Sequence, residues 1–81
     1  MITPAQCKAA RALLGLEQSE VADAAGIARA TVVDFEKGLR VPRSKTLDGI
    51  REALEAAGVV FIEENGGGAG VRLSQPNSHH D

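Results

Sequence analysis

A chain of 81 residues can form one small domain around one core, which leaves little room for a separate ligand-binding or catalytic module. Hydrophobic residues make up 43% and charged residues 25%, with two phenylalanines and neither Trp nor Tyr, so the core must be built from Ala, Leu, Val and Ile; this favours a compact fold over disorder. The net charge of −2 argues against a polyanion partner only until its distribution is considered, because residues 1–51 carry eight Lys/Arg against six Asp/Glu and residues 52–81 carry one against five.

Cys7 is the single cysteine and has no partner for an internal disulfide. No apolar run approaches the roughly 20 residues of a membrane helix, and Met1 to Gln6 lacks the charged start and apolar centre of a signal peptide. A reducing cytoplasm is the expected location.

Thr3, Pro4 and Gln6 read as a helix start: a hydroxyl cap, Pro at the first helical position and Gln at the capping-box position. The first helix is expected over Pro4 to Leu14, with Cys7, Ala10, Leu13 and Leu14 inward, and Gly15 at its left-handed end. A second helix covers Gln18 to Ala24, with Val21 and Ala22 inward, and Gly26 supplies the positive φ of a tight turn. A third runs from Arg29 to Glu36, buries Val32 and Phe35, and ends at Lys37-Gly38. These two short helices, meeting at Ala25-Gly26-Ile27, have the layout of a helix-turn-helix. Lys37 to Lys45, KGLRVPRSK, holds four cations and no anion; alone, such a run is as readily a solvated face as a binding surface.

Pro42 closes that basic loop, and Ser44 is expected to cap a fourth helix to Ala57, with Leu47, Ile50, Leu54 and Ala57 inward and Gly58 ending it. Val59-Val60-Phe61-Ile62 is then too short and too β-branched for a helix. With Gly66 to Gly68 and Val71-Arg72-Leu73 it reads as a β-hairpin. A lone hairpin is marginal in water, so its strands need the helical body or a second chain. The three expected segments are therefore a helix-turn-helix unit at 1–58, a hairpin at 59–73 that serves as the dimerisation element and a flexible tail at 74–81.

Residues 5 to 58 resemble the phage-repressor family of helix-turn-helix domains, the Xre and Cro-like regulators. Arg11, Leu14-Gly15, Gln18, Val21-Ala22, Ala25-Gly26-Ile27, Thr31-Val32, Phe35-Glu36, Gly38, Pro42 and Leu54 carry the resemblance as a set. It implies a mainly α fold of four helices followed here by the hairpin. It also implies that Gln18 reaches DNA at the start of the second helix, and that Arg11 and Glu36 form an ion pair bridging the first helix to the end of the third.

The residue chemistry is consistent with such a reader. Ala22 is small enough for two helices to cross closely, and Ile27, Val32 and Phe35 anchor the third helix. Arg29, Ala30, Thr31, Val33 and Asp34 are left on its outward face or margins, where a helix N-terminus fits the major groove. Arg29 suits guanine, Asp34 suits cytosine N4, and Ala30 or Val33 suits a thymine methyl; the alternative for Arg29 and Asp34 is a pair of solvated charges. Lys37, Arg40, Arg43 and Lys45 suit phosphates. Two positions depart from the family pattern, since Glu17 and Ala28 stand where Ser, Thr or Asn often cap a helix; at Ala28 this costs about 1 kcal/mol.

Other signals are weaker. Gly66-Gly67-Gly68 lacks the following helix and Lys-Ser/Thr of a phosphate loop, and Cys7 fits a small core residue better than a redox sensor. His79 and His80 have no metal-ligand company, and no residue set supplies a nucleophile with a base. No cofactor, metal, membrane or enzymatic role is expected.

The expected function is sequence-specific regulation of transcription by a homodimeric repressor on an inverted repeat of double-stranded DNA. One helix-turn-helix touches few base pairs, and pairing through Val59, Val60, Phe61, Ile62, Val71 and Leu73 doubles the contact. The alternative is a protein-interaction module, such as an antitoxin or phage accessory factor, that binds a partner protein.

Overall fold

The computed structural model describes residues 1–75; the remaining positions, which hold His79, His80 and most of the expected tail, lie outside the described residues. Four helices, α1 (Pro4–Leu14), α2 (Gln18–Ala25), α3 (Arg29–Glu36) and α4 (Ser44–Ala57), precede two strands, β1 (Val59–Ile62) and β2 (Gly70–Leu73). The fold is mainly helical with a C-terminal antiparallel hairpin, as the sequence implies.

Local chemistry accounts for most boundaries. At the start of α1, Thr3 Oγ1 accepts from the Gln6 N–H at 3.1 Å and Gln6 Oε1 accepts from the Thr3 N–H at 2.9 Å, a reciprocal capping box. The turn between α2 and α3 uses Gly26 at φ 71°, a left-handed value that a Cβ disfavours. Ala28 begins α3 without a side-chain cap, whereas Glu20 at α2 accepts from the Glu17 N–H at 2.8 Å. Glu17 thereby starts its helix with a partner one turn on.

Five local expectations are corrected. Leu13 is 45% exposed, because it lies about a quarter-turn from the stripe formed by Cys7, Ala10 and Leu14. Ala57 is also exposed, since α4 ends there and Gly58 turns the chain into β1. Ser44 is the first helical residue of α4 and gives no capping bond; Arg43 occupies the cap position. The second helix extends to Ala25 and the second strand begins at Gly70, each one residue beyond the expected bound.

The core gathers side chains from the four helices and β1: Cys7 and Ala10, Val21 and Ala22, Val32 and Phe35, Leu47, Ile50 and Leu54, then Val59 and Phe61, with Val71 and Leu73 of β2 partly buried against it. Ile2, before α1, joins them. In the hairpin, Val59 faces Leu73 and Phe61 faces Val71, all directed toward the helices, while Val60 and Ile62 point outward at 39% exposure each. The helical body therefore supports one hairpin face. Buried Gln6 adds a clamp, its amide nitrogen donating to the carbonyls of Gly70 at 2.8 Å and Ile62 at 3.2 Å. From the other side, the Arg51 guanidinium lies 5.7 Å from the Phe61 ring centroid and 3.7 Å from Glu63.

Candidate nucleic-acid interface

Helix α3 has two different sides. Val32, Phe35 and Glu36 are buried against the body, whereas Arg29 and Ala30 are exposed and Thr31, Val33 and Asp34 are half-buried at the margin. Arg29, the first residue of α3, shares a shallow depression with Gln18 and Ser19 at the start of α2. Two helix starts meet there with the guanidinium groups of Arg29 and Arg11 and the carboxylate of Glu17, so backbone N–H groups and charges of both signs line the depression. Lys37, Arg40, Arg43 and Lys45 are all exposed in the segment that leaves α3 and enters α4.

Behind this surface, Glu36 is the centre of a buried polar network. Its carboxylate accepts from Arg11 Nε at 2.7 Å and Arg11 Nη2 at 2.6 Å, from Cys7 Sγ at 3.1 Å and from Gln18 Nε2 at 3.0 Å. Arg11 Nη1 also donates to the Leu16 carbonyl at 3.2 Å, so the same side chain holds the link between α1 and α2. Residues from three helices therefore fix the end of α3. No buried side-chain nitrogen or oxygen among the described residues lacks a partner.

The charges in this network follow from the contacts. Burial by itself raises the Glu36 carboxyl, but hydrogen bonds from Arg11, Cys7 and Gln18 outweigh it and hold the group below its ordinary value. Burial pushes the Cys7 thiol up to about 12, with its hydrogen bond to Glu36 acting in the same direction. Cys7 is accordingly a protonated donor, and its burial keeps it from reagents.

Three contacts had no counterpart in the sequence expectations: the Cys7 and Gln18 bonds to Glu36, and the Gln6 clamp on the hairpin. A signal existed for Cys7, four residues before Arg11 and so on the same side of α1. None existed for the other two. Gln18, expected at DNA, commits one amide N–H to Glu36 and stands beside Arg29 at the depression. Of the residues expected at a dimer contact, Val59 and Phe61 are buried within the protomer, Val71 and Leu73 are half-buried, and Val60 and Ile62 present their side chains outward.

Among the described residues there is no group of three or more His, Cys, Asp or Glu side chains placed to hold a metal ion, and no helix long and apolar enough to cross a membrane. A comparison with curated proteins gives no significant match. The helix-turn-helix family matches residues 8–57, more than half of the chain, a span that begins in α1 and closes at the end of α4. With its two short helices, glycine turn and outward third helix inside that span, the chain belongs to the helix-turn-helix family, whose members are DNA-binding transcription regulators.

Proposed function

We propose that this protein is a sequence-specific transcriptional repressor of the phage-repressor type that binds an inverted-repeat operator as a homodimer, with α3 in the major groove. The observation that carries the reading is the pairing of an open α3 face with a closed network behind it. Arg29, Ala30, Thr31, Val33 and Asp34 are available to base edges while Glu36 anchors the helix from within. Rigid placement matters because a bidentate base contact tolerates little angular error.

In this reading Arg29 contacts guanine, Asp34 accepts from cytosine N4, and Ala30 or Val33 touches a thymine methyl. Gln18, Lys37, Arg40, Arg43 and Lys45 bind phosphates and set the register. The acidic residues 52–81 belong to the end facing away from DNA, and the outward pair Val60 and Ile62 supplies the contact between two copies. The protein acts in the cytoplasm, and protein concentration or a partner protein controls it.

Selection of bound duplexes from a random pool tests binding, symmetry and spacing together. The expected result is an enriched inverted repeat whose half-sites lie about one DNA turn apart, roughly 10 base pairs. An unenriched pool would overturn the reading in favour of a protein-interaction module, and an enriched single half-site would overturn the dimer alone.

A further inference from the structure

Leu39 and Val41 are the most exposed large apolar side chains after the start of the chain, at 72% and 84%, against 39% for Val60 and Ile62 on the hairpin. They flank Arg40, with Lys37 before them and Arg43 and Lys45 after, and no acidic residue occurs between Lys37 and Lys45. Apolar residues scattered singly over a surface are ordinary, whereas these two stand two positions apart within one cationic run.

The segment is also anchored. Behind it, the Gly38 N–H donates to Phe35 O at 3.0 Å and the Leu39 N–H to Asp34 O at 2.9 Å, so the chain folds back on the end of α3. Ahead of it, Pro42 is buried and Arg43 O accepts from the Leu47 N–H at 2.9 Å at the entry to α4. Leu39, Arg40 and Val41 are thereby held out from the body next to the helix assigned to the groove.

We propose that Leu39 and Val41 are DNA-contact residues that pack on the apolar sugar faces of the strand bordering the α3 groove, between phosphates neutralised by Lys37, Arg40 and Arg43. The inference rests on the DNA-binding reading above. A nucleic-acid backbone alternates anionic phosphates with apolar deoxyribose faces, and an apolar-cation-apolar segment complements that alternation. A lipid surface is the poorer fit, because interfacial binding uses an amphipathic helix with a broad apolar face and this segment is a short loop.

The two kinds of contact separate by salt. Neutralising a phosphate releases counterions and steepens the salt dependence of binding, whereas an apolar contact changes affinity and leaves the slope alone. With the full chain and its selected operator, Leu39→Ser and Val41→Ser are each expected to weaken binding about tenfold, the equivalent of about 1.4 kcal/mol, with an unchanged slope. Arg40→Ala is expected to lower the slope by about one. Leu13→Ser, another exposed leucine, leaves binding as it is. Because both loop side chains stand in solvent, the two serine variants should keep the wild-type Tm.

Wild-type affinity in both serine variants would overturn the proposal, as would a slope change matching that of Arg40→Ala. It also falls if the variants alter self-association, or binding to phosphatidylglycerol vesicles, while operator affinity stays constant. Failure of the wild-type chain to bind any duplex removes the DNA reading itself, a distinct result.

Discussion

Arg11 and Glu36 meet through two hydrogen bonds, at 2.7 and 2.6 Å, with the Glu36 side chain only 3% exposed. The pair joins α1 to the last residue of α3, so the position of the proposed DNA-reading helix depends on a residue outside the helix-turn-helix itself. Removing one partner leaves a buried charge whose other donors, Cys7 and Gln18, are neutral. Arg11→Ala is expected to cost about 3–5 kcal/mol. A domain of this length holds only about 4–12 kcal/mol in total, so the variant should be marginal or unfolded at 37 °C. Denaturant unfolding followed by circular dichroism measures it, and a loss below about 1 kcal/mol would show that solvent screens the pair.

The depressed Glu36 carboxyl makes stability acid-sensitive. Because the folded value lies below the unfolded value near 4.5, its contribution is present above that pH and is lost as pH falls through the folded value. Glu36→Gln should be less stable at neutral pH and should lose less on acidification. Parallel acid titrations of the two proteins test this, and identical acid limbs would contradict it.

Cys7 acts at the opposite end of the scale. Its thiol is raised from 9.0 to about 12, so the stability it contributes is present below pH 9 and declines as pH rises toward 12, where the unfolded chain gains a thiolate that the folded chain resists. Cys7→Ala should flatten this alkaline decline, although it also loses a donor to Glu36. Thiol-reagent labelling at neutral pH should follow unfolding, and rapid labelling of the native protein would show that the site opens locally.

Gln6 is expected to control the hairpin more than the helices. Gln6→Leu removes the donor shared by the Ile62 and Gly70 carbonyls, at a cost of about 1–3 kcal/mol if both stay dry, and also the acceptor of the Thr3 N–H at the start of α1. Amide hydrogen exchange should accelerate in β1 and β2 before it does in α2 and α3. Uniform acceleration across the chain would mean that hairpin and helices open as one unit.

Arg29→Ala is expected to reduce affinity for the selected operator by about 1–3 kcal/mol while leaving non-specific DNA binding nearly unchanged. Titrations against operator and scrambled duplexes distinguish a base contact from a phosphate contact. Equal loss on both would assign Arg29 to the backbone.

Val60→Ser with Ile62→Ser addresses the proposed dimer. Both side chains face outward, so the double variant should keep its fold and shift sedimentation toward monomer. An unchanged sedimentation profile would place the contact between copies elsewhere.

Much of the backbone plan is written in local sequence. Gly15, Gly26 and Gly38 each stop or turn a helix at positive φ, the Thr3 and Gln6 pair starts one, and the apolar spacing in α4 places Leu47, Ile50 and Leu54 inward. These signals act within about one or two helical turns, which is why they can be read without a partner. Leu13 escaped the same rule because periodicity fixes an angle around a helix and does not say how wide the covering surface is.

By itself, then, the sequence determined the order of four helices and a hairpin, the outward composition of α3 and the cationic segment after it. Tertiary structure alone decided that Gln18 bonds to Glu36, that Gln6 holds strands more than fifty residues away, and that Val60 and Ile62 remain outside while Val59 and Phe61 do not. Capping, turn and periodicity preferences are short-range energies, legible one segment at a time. A hydrogen bond between distant residues exists only once packing has brought its donor and acceptor together and excluded the water that would otherwise compete for both.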